Sequence, residues 1–529
     1  MRAPPRARPV ALNLEPRRER DAPALYRQIF DATRGAVLTG ELAAGDRLPP
    51  ERDLANRLGV NRTTVIRAYS DLATAGVVEA RPGRGTLVRA PTPATRDQAR
   101  SAAVTSIGAR DQGPAWLIGL PPLGRANLGP DAGLLSDLAG TSGRPGLISF
   151  ALGTPSPDVV PRQRLQEELV AALDECGAAG LGYGPVEGLP TLKATIAGRL
   201  AQRRVIASPE QVLVVSGATQ GIALIAQSLI EPGDEVAVES PTYIGALQTF
   251  AAAGARLIGV PVDGKGVRVD LLESVLSRRR IRLLFLQPTH HNPTGTTVPP
   301  ERREQLLAPS WRYGVPIVED DAYGELWHEP PDPFPLKASD RHELVIHLST
   351  FSKTVAPGLR VGYVAGPAAL VRRLALAKQF SDLNTSALSQ LALARFLAAG
   401  EYERHLHLVR AIYALRWATM LAALSGLANI DVSPHSKGGF YLWCRLDGAL
   451  NARQIVAAAA RRGVTLIAGE AFFPPGSGAP GDSHRWIRLS FSSASPEAIV
   501  EGIARLAVVL RRQPISIPAS QIEGTQPLV

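Results

Sequence analysis

The sequence predicts a multidomain protein in which a small α+β domain with a helix-turn-helix precedes a large α/β domain. Near the N-terminus, two short helical patterns flank the glycine turn at Gly59, which is typical of a helix-turn-helix. Further along, β-branched runs lead into small-residue turns and apolar helical patterns, which favours an open α/β sheet. The length of 529 residues is enough for more than one domain and a substantial core.

The first predicted helix has apolar residues at helical spacing and ends at Gly40. The second runs from Glu51 to Leu58 after two prolines, and Gly59 ends it. Asn61 is a suitable N-cap for the third helix, which has one buried face. The apolar positions are Leu25, Ile29, Ala32, Ala36 and Val37 in the first helix and Val65, Tyr69 and Leu72 in the third.

The exposed start of the third helix carries residue types that suit phosphates and base edges in a DNA major groove. These residues are Arg62, Thr63, Thr64 and, one turn later, Arg67. A hairpin expected over residues 77–88 would form a wing with arginines around Gly83 at its tip. We therefore expect a winged helix whose partner is double-stranded DNA.

The charge of this region is consistent with a polyanionic partner. Residues 1–90 contain 16 Arg, no Lys and 10 acidic residues, which gives +6 of the chain's formal +10. Arginine-rich composition is also common in GC-rich proteomes, so charge alone does not decide between these explanations. We interpret residues 1–20, with six Arg and several Pro, as a disordered basic arm rather than a signal peptide.

Over residues 22–90 the sequence resembles the winged helix of GntR-family transcription factors. The resemblance is carried by the segment Leu48 to Val65 and by Arg81 to Thr86. It implies that Arg52, Arg62, Thr63, Thr64 and the wing residue Gly83 contact DNA. The resulting division of the chain is a DNA-binding domain at 21–90, a flexible linker at 91–145, a large domain at 146–512 and a tail at 513–529.

In the large domain, a strand over residues 212–215 leads into a small-residue turn and then an apolar helix. Such a turn directs backbone N–H groups and a helix N-terminus towards an anion. Ala218 and Thr219 are therefore expected to bind a phosphate. After another strand, at residues 235–239, Tyr243 is expected to stack on an aromatic ligand ring.

Asp320 follows the apolar run 315–318, a predicted buried strand, and the carboxyl ends of such strands form the ligand crevice of open sheets. A carboxylate there can keep a pyridine nitrogen protonated. Asn292, in an Asn-Pro-Thr-Gly segment, and Tyr323 are candidates to bind the phenolic oxygen of the same ring. Taken alone, the Asn292 segment is also compatible with an ordinary turn, and Asp320 with a helix cap or a surface ion pair.

The small-residue loop from Ser349 to Gly362 offers one lysine and one arginine. The amine of Lys353 can form a Schiff base with pyridoxal phosphate. Thr350, Ser352 and Arg360 can hold the phosphate of this cofactor. Taken alone, Lys353 could be a solvated surface charge.

The order of these motifs resembles the fold-type-I pyridoxal-phosphate aminotransferases, in particular the branch of kynurenine and aminoadipate aminotransferases. The resemblance implies a large α/β domain with a small C-terminal α+β subdomain. It implies that Arg488, in Trp-Ile-Arg-Leu-Ser-Phe, clamps a substrate carboxylate. It also implies a head-to-tail homodimer in which Tyr183 reaches the partner's phosphate. Ala218 stands where some members have serine. The residues matched to the cofactor are Ala218, Thr219, Tyr243, Asn292, Asp320, Tyr323, Thr350, Ser352, Lys353, Arg360 and Tyr183, with Lys353 as the catalytic residue.

Together the two resemblances are similar to the MocR subgroup, in which a GntR domain is joined to an aminotransferase-like sensor. This implies a transcriptional regulator that binds pyridoxal phosphate and responds to an amino compound. A working aminotransferase with a fused DNA-binding domain is the alternative, and a sensor of free pyridoxal phosphate is a third possibility. The effector, the operator and the direction of regulation stay open.

The remaining sequence features predict an intracellular, cytoplasmic protein. Cys176 and Cys444 are too few and too isolated for a disulfide framework or a zinc site. We expect no metal site, and we expect the pair His290 and His291 to lie in the loop near Asn292. No apolar run approaches the roughly 20 residues of a membrane span, so we expect no membrane partner.

Overall fold

The computed structural model describes residues 24–39, 42, 45–74, 77–81, 85–89, 146–330, 333–433, 436–448, 450–475 and 481–511. The expected basic arm, linker and tail lie outside these residues, as do Gly40 and Gly83. The chain divides into two compact units, Met1–Pro121 and Pro122–Val529.

The described residues of the first unit form three helices and a two-stranded antiparallel hairpin. Its core joins all three helices to the hairpin through buried side chains such as Ile29, Leu54, Val65 and Val88. Val65, Tyr69 and Leu72 are buried, as the helical spacing predicts. The helices are Leu25–Thr39, Glu51–Leu58 and Arg62–Thr74, and the strands are Val78–Arg81 and Gly85–Val88.

The turn between the second and third helices has the expected geometry. Gly59 adopts a left-handed conformation with φ 60°, and its N–H donates to the carbonyls of Ala55 and Asn56. The side-chain oxygen of Asn61 accepts from the N–H of Thr63 at 3.1 Å, as an N-cap residue does. The predicted helix-turn-helix is thus present.

The second unit is built on an eight-stranded sheet. Five neighbouring strands are parallel: Val345–Thr350, Ile317–Asp320, Ile281–Leu286, Glu235–Ser240 and Arg256–Asp263. Gly362–Ala365 is antiparallel to both its neighbours, and Gly266–Val267 is antiparallel to the strand beside it. Side by side, the strands are Val212–Val215, Gly362–Ala365, Val345–Thr350, Ile317–Asp320, Ile281–Leu286, Glu235–Ser240, Arg256–Asp263 and Gly266–Val267.

Helices cover both faces of this sheet, so its strands are apolar on both sides. One face packs on helices Ala218–Leu229, Ile244–Ala252 and Ala368–Ser381. The other packs on helices that include Val269–Arg278 and Pro300–Tyr313. Among the described residues, the other helices before residue 426 are Arg162–Cys176, Pro190–Gln202, Ala387–Ala398 and Glu401–Ser425. The described 3-10 segments are Pro157–Val159, Gly177–Leu181, Pro209–Gln211, Leu336–Ser339, Pro357–Leu359, Gly469–Phe472 and Ser483–Arg485.

A small C-terminal α+β subdomain completes the second unit, as the resemblance implies. Its antiparallel sheet has the order Ile430–Val432, Tyr441–Leu446, Trp486–Ser490, Ile467–Ala468. Helices Ala452–Ala460 and Pro496–Arg511 belong to it, and Val464–Thr465 pairs in parallel with Ile148–Ser149.

Two element boundaries differ from the sequence-based expectation. The strand predicted at 315–318 is Ile317–Asp320, two residues further along the chain, and Asp320 is its last residue. The apolar helix expected after the small-residue turn begins at Ala218, within the predicted turn, because Gly217 with φ 92° already ends that turn. Ala218 and Thr219 therefore lie in the first helical turn.

The helix Glu401–Ser425 is long and apolar enough to cross a membrane by length and composition. The same helix buries Tyr402, Tyr413 and Met420 in the hydrophobic core of the second unit. We interpret it as a core helix of this unit.

Candidate functional site

A cavity of about 210 Å³ opens at the carboxyl ends of the parallel strands and is closed on one side by the C-terminal subdomain. The large domain contributes the ends of three strands through Tyr243, Asp320 and Thr350, and the subdomain contributes Tyr441 and Arg488. The lining residues predicted from the sequence are Ala218, Thr219, Tyr243, Asn292, Asp320, Tyr323, Thr350, Ser352, Lys353, Arg360 and Arg488.

Lys353 presents its amine to this cavity. Nζ donates to the carbonyl of Gly153 at 2.7 Å and lies 5.9 Å from the centre of the Tyr323 ring. Burial lowers the pKa of Lys353 to about 8, although the carboxylate of Asp320 opposes this shift. A larger fraction of neutral, nucleophilic amine is therefore present near neutral pH than for an exposed lysine.

Asp320 is a buried carboxyl with one engaged oxygen and one open oxygen. Oδ2 accepts from Nε2 of Gln287 at 2.7 Å, whereas Oδ1 has no hydrogen-bond partner among the described residues. Burial raises the pKa of Asp320 to about 7, against the lowering effect of the Gln287 hydrogen bond. A buried carboxylate oxygen without a partner is costly, so this atom fits a protonated ring nitrogen.

The opposite end of the cavity suits an anion. Arg360 has a left-handed backbone with φ 52° and donates from Nη2 to the carbonyl of Ser216 at 2.7 Å. A Cβ at Gly217 would lie 2.5 Å from this Nη2, so only glycine allows the approach. Next to it, the helix that starts at Ala218 directs its N-terminus towards the cavity, which favours an anion.

Two hydroxyl groups complete this anion-binding end. Thr350 Oγ1 donates to Ser352 Oγ at 2.9 Å, and both residues are buried. Thr350 Oγ1 also accepts from the N–H of Ser352 at 3.1 Å. The loop that carries Lys353 therefore holds its hydroxyl groups at fixed positions beside Arg360.

Arg488 is the buried cation of the C-terminal subdomain, with a relative exposure of 4%. Nη1 donates to Asn292 Oδ1 at 2.8 Å, and Nη2 donates to the carbonyl of Ala151. Its guanidinium lies 4.3 Å from the centre of the Tyr441 ring and 4.8 Å from that of Phe472. Burial lowers the pKa of Arg488, and a ligand carboxylate would compensate its charge.

Three tyrosines line the cavity. The hydroxyls of Tyr323 and Tyr441 are 2.8 Å apart, and burial raises the pKa of Tyr323 well above its usual range. Burial likewise raises the pKa of Tyr243 to about 12. A Cβ at Gly245 would lie 2.4 Å from the Tyr243 ring, so the absence of a side chain there allows the ring to take its position.

Several contacts were not predicted from the sequence. Gln287 begins the motif that contains Asn292, but nothing in that motif indicates its hydrogen bond to Asp320, 33 residues away. The carbonyls of Ala151 and Gly153 carry no side-chain signal. Tyr441 is 118 residues away from its partner Tyr323, and nothing in its local sequence indicates that contact.

One expected site residue lies away from the cavity, and the histidine pair lies in the loop where it was expected. Tyr183 does not line the cavity, and its side chain is 87% exposed. His290 and His291 lie in the loop that carries Asn292, and both are buried. Among the residues that the structure describes, no group of three His, Cys, Asp or Glu side chains could hold a metal ion.

In the first unit, the predicted DNA-contacting side chains lie on the surface of the helix-turn-helix. Arg52, Arg62, Thr63 and Arg67 are exposed, and Thr64 is half-buried. Arg62 pairs with Glu51 at 3.2 Å while its side chain stays 63% exposed. Arg67 lies 3.9 Å from the centre of the Tyr26 ring. The wing residue Gly83 lies outside the described residues.

Comparison with protein families gives two matches. Residues 25–88 match the gntR family of bacterial regulatory proteins, and residues 146–506 match aminotransferase class I and II. The second match covers more than half of the chain. The two family matches lie on either side of the expected linker.

Two relatives match this chain over almost its whole length. An uncharacterized HTH-type transcriptional regulator, YisV of Bacillus subtilis, is 34% identical over 499 residues, which is 94% of this chain and 98% of the relative. The probable rhizopine catabolism regulatory protein MocR of Rhizobium meliloti is 32% identical, over 92% of this chain and 94% of the relative.

A solved structure matches the second unit. It is the α-aminoadipate aminotransferase LysN of Thermus thermophilus, complexed with N-(5'-phosphopyridoxyl)-L-leucine. It is 34% identical with a TM-score of 0.65, and the match covers 69% of this chain and 92% of LysN.

The aminotransferase family and this structural neighbour imply pyridoxal phosphate as the cofactor. The cavity fits that group, since it combines the open Oδ1 of Asp320, the amine of Lys353 and the anion-binding end at Arg360. The chain therefore belongs to the GntR-type transcriptional regulators that carry an aminotransferase class I and II domain, the MocR-like regulators.

Proposed function

We propose that this regulator binds pyridoxal phosphate through Lys353 and that an amino compound acting at the same cavity changes its affinity for DNA. One observation carries this proposal: a single chain combines exposed arginines on a helix-turn-helix with a cavity in which Lys353, Asp320 and Arg488 converge. Because DNA is the partner, we place the protein in the cytoplasm.

When bound, pyridoxal phosphate supplies an aldehyde that reacts reversibly with amines and a protonated pyridine ring that accepts electron density. Lys353 supplies the amine that attaches the cofactor, and its lowered pKa favours this reaction. Asp320 offers Oδ1 to the ring nitrogen and holds a proton there, since a carboxylate stabilises the cation beside it. Tyr243 lines the cavity, and its aromatic ring would be available for stacking on the cofactor.

The phosphate is assigned to the end of the cavity at Arg360, Thr350 and Ser352, with Ala218 and Thr219 at the helix N-terminus. Arginine and hydroxyl donors suit a dianion. Asn292 and Tyr323, which both line the cavity, are assigned to the phenolic oxygen of the ring.

The effector in this proposal is an amine that also carries an acidic group. Its amino group would take the place of the Lys353 amine at the aldehyde carbon of the cofactor, which would release that amine, and its carboxylate would meet the buried guanidinium of Arg488. Arg488 lies on the subdomain strand Trp486–Ser490 and bonds to the large-domain residue Asn292, so binding there draws the subdomain against the large domain. The effector changes DNA affinity only to the extent that it prefers one conformation.

The DNA-binding residues in this proposal are Arg52, Arg62, Thr63, Thr64 and Arg67, with Gly83 in the wing. We propose a head-to-tail homodimer that presents two such surfaces to paired half-sites. The exposed Tyr183 and its neighbour Leu181, 70% exposed, support an interface at that face.

The test begins with genomic DNA fragments retained by the purified full-length protein, with and without candidate amino acids and amino sulfonates. The affinity for a recovered fragment is then measured at fixed salt. We expect the active amine to change that affinity by about 5- to 150-fold, as for coupling free energies of 1–3 kcal/mol. An affinity that no amine and no pyridoxal phosphate changes would contradict the proposal.

The second candidate function is a working aminotransferase, and the cavity lining supports it because the large-domain and subdomain residues needed for transamination converge there. Steady conversion of an amino donor and a keto acid by the purified protein would favour this function. Single-turnover exchange with sequence-selective, salt-sensitive DNA binding would favour the regulator.

A further inference from the structure

The turn at Ser216 is supported by an ion pair between a buried lysine and a half-buried aspartate, and neither residue lines the cavity. Lys378 has 0% relative exposure and lies in the helix Ala368–Ser381. Its Nζ donates to Oδ1 of Asp382 at 2.6 Å. The other oxygen of Asp382, Oδ2, accepts from the hydroxyl of Ser216 at 2.9 Å. The carboxylate thus bridges a buried ammonium group and the anion-binding turn.

Ser216 is held through each of its polar groups. Its N–H donates to Oε1 of Gln220 at 2.7 Å, and its hydroxyl lies 3.1 Å from that of Thr385. Its carbonyl accepts from Nη2 of Arg360 at 2.7 Å. The orientation of the Ser216 peptide therefore determines where the guanidinium of Arg360 is held.

Arg360 depends on this support because its side chain reaches the open part of the cavity. The residue is exposed, and long exposed side chains lose conformational freedom when they are held in one position. A fixed carbonyl acceptor lowers the number of arrangements that the guanidinium samples. Binding of a phosphate then needs less ordering of Arg360.

Filling this position in the fold does not in itself require an ion pair. Replacing a buried pair with apolar side chains is often neutral or stabilising, whereas removing one partner leaves a costly charge. Burial lowers the pKa of Lys378, and the pairing with Asp382 opposes this shift. Lys378 also neutralises the carboxylate, which would otherwise repel a phosphate at the neighbouring turn.

We propose that Asp382, held by Lys378, is a positioning residue that fixes Ser216 and thereby directs Arg360 towards the phosphate of the cofactor. This inference rests on the proposed function, in which that end of the cavity binds phosphate. It predicts that Asp382 and Lys378, which do not line the cavity, affect binding of the phosphate group and leave binding of the ring unaffected.

The experiment compares two ligands of the full-length apoprotein, pyridoxal phosphate and pyridoxal, which has the same ring and aldehyde but no phosphate. Binding is followed by absorbance, and the ratio of the two dissociation constants is the readout. For Asp382→Asn we expect about tenfold weaker binding of pyridoxal phosphate and less than about a twofold change for pyridoxal, since an amide has one accepting oxygen instead of two.

A second variant separates positioning from damage by an unpaired charge. The double substitution Lys378→Met with Asp382→Asn removes the buried cation together with its partner, and we expect the same phosphate-specific loss. The matched control is Asp270→Asn, an exposed aspartate that pairs with Arg268 at 2.6 Å and does not line the cavity. Its ratio should equal that of the wild type.

Equal losses for both ligands in both variants, or wild-type ratios in both, would overturn the positioning role of Asp382. A wild-type protein that binds neither ligand, or does not prefer pyridoxal phosphate, would instead contradict the proposed function itself. The two failures are therefore distinguishable in one set of titrations.

Discussion

Arg62 in the first unit and Arg488 in the second have opposite surroundings. In the first unit, Arg62 is 63% exposed and its ion pair with Glu51 lies at the surface. In the second unit, Arg488 is 4% exposed, and its guanidinium lies beside two aromatic rings and a carbonyl. The same side chain is thus a solvated charge in one unit and a buried one in the other.

The difference separates two kinds of recognition. Exposed arginines bind a polyanion mainly by releasing its counterions, so their binding depends strongly on salt and little on the exact position of the side chain. A buried arginine binds a single carboxylate through two directed hydrogen bonds, so its binding depends on geometry. We therefore expect variants in the first unit to change salt-dependent DNA binding and variants in the cavity of the second unit to change binding of small molecules.

The largest expected effect is in the second unit, at Lys353. After incubation with pyridoxal phosphate and reduction with borohydride, we expect covalent labelling of Lys353 in the wild type and complete loss of that label in Lys353→Ala. Peptide mass analysis measures the label. Lys437→Ala, at an exposed lysine that pairs with Glu329 at 3.2 Å, is the control and should stay labelled at Lys353. Labelling elsewhere in the wild type would refute the assignment.

In the first unit, Arg62→Ala should weaken operator binding about 10- to 100-fold and lower the salt slope by about 1. Little stability should be lost, because the pair with Glu51 is exposed. Arg268→Ala, at an exposed arginine of the second unit, is the control and should keep wild-type affinity. Fluorescence polarisation at several salt concentrations measures both quantities. An unchanged salt slope would argue against a phosphate contact by Arg62.

At the buried arginine, Arg488→Lys should weaken binding of a responsive α-amino acid about tenfold, since lysine cannot form the bidentate contact. Cofactor absorbance should be unchanged. The corresponding amine without its carboxylate provides the internal control, because its binding should be the same in wild type and variant. Equal losses for the amino acid and the amine would indicate a general disturbance of the cavity instead.

The smallest expected effect is a shift in pH dependence. Only the neutral amine of Lys353 reacts with an aldehyde, and burial lowers its pKa to about 8. The neutral fraction then grows about fivefold between pH 7 and pH 8 and levels off above that, whereas an ordinary lysine would continue to gain up to pH 10. The rate of the absorbance change after mixing with pyridoxal phosphate measures this profile. A rate that still rises tenfold per pH unit above pH 9 would contradict the lowered pKa.

The helix-turn-helix and several residues of the cavity could be predicted from the sequence, because short motifs specify them. The Asn61 cap and the Gly59 turn predict the helix-turn-helix, since both act within a few residues. Lys353 and Asp320 could likewise be identified from their own segments, and both line the cavity.

The rest depends on contacts between distant segments. The bond from Gln287 to Asp320, the pairing of Tyr323 with Tyr441 and the support of Ser216 by Asp382 join residues that are 33, 118 and 166 positions apart. Local patterns carry no information on such contacts. The carbonyl of Gly153, which accepts from Lys353, has no side chain that could mark it.

The central claim is that Lys353 is required for an amine bound in the cavity to change the affinity of the protein for DNA. Its most direct test measures operator affinity of the wild type and of Lys353→Ala, each saturated with pyridoxal phosphate, with and without the active amine at one salt concentration. We expect the amine to change the wild-type affinity by about 5- to 150-fold and to leave the affinity of the variant at the basal wild-type value. An equal response of both proteins would contradict the account.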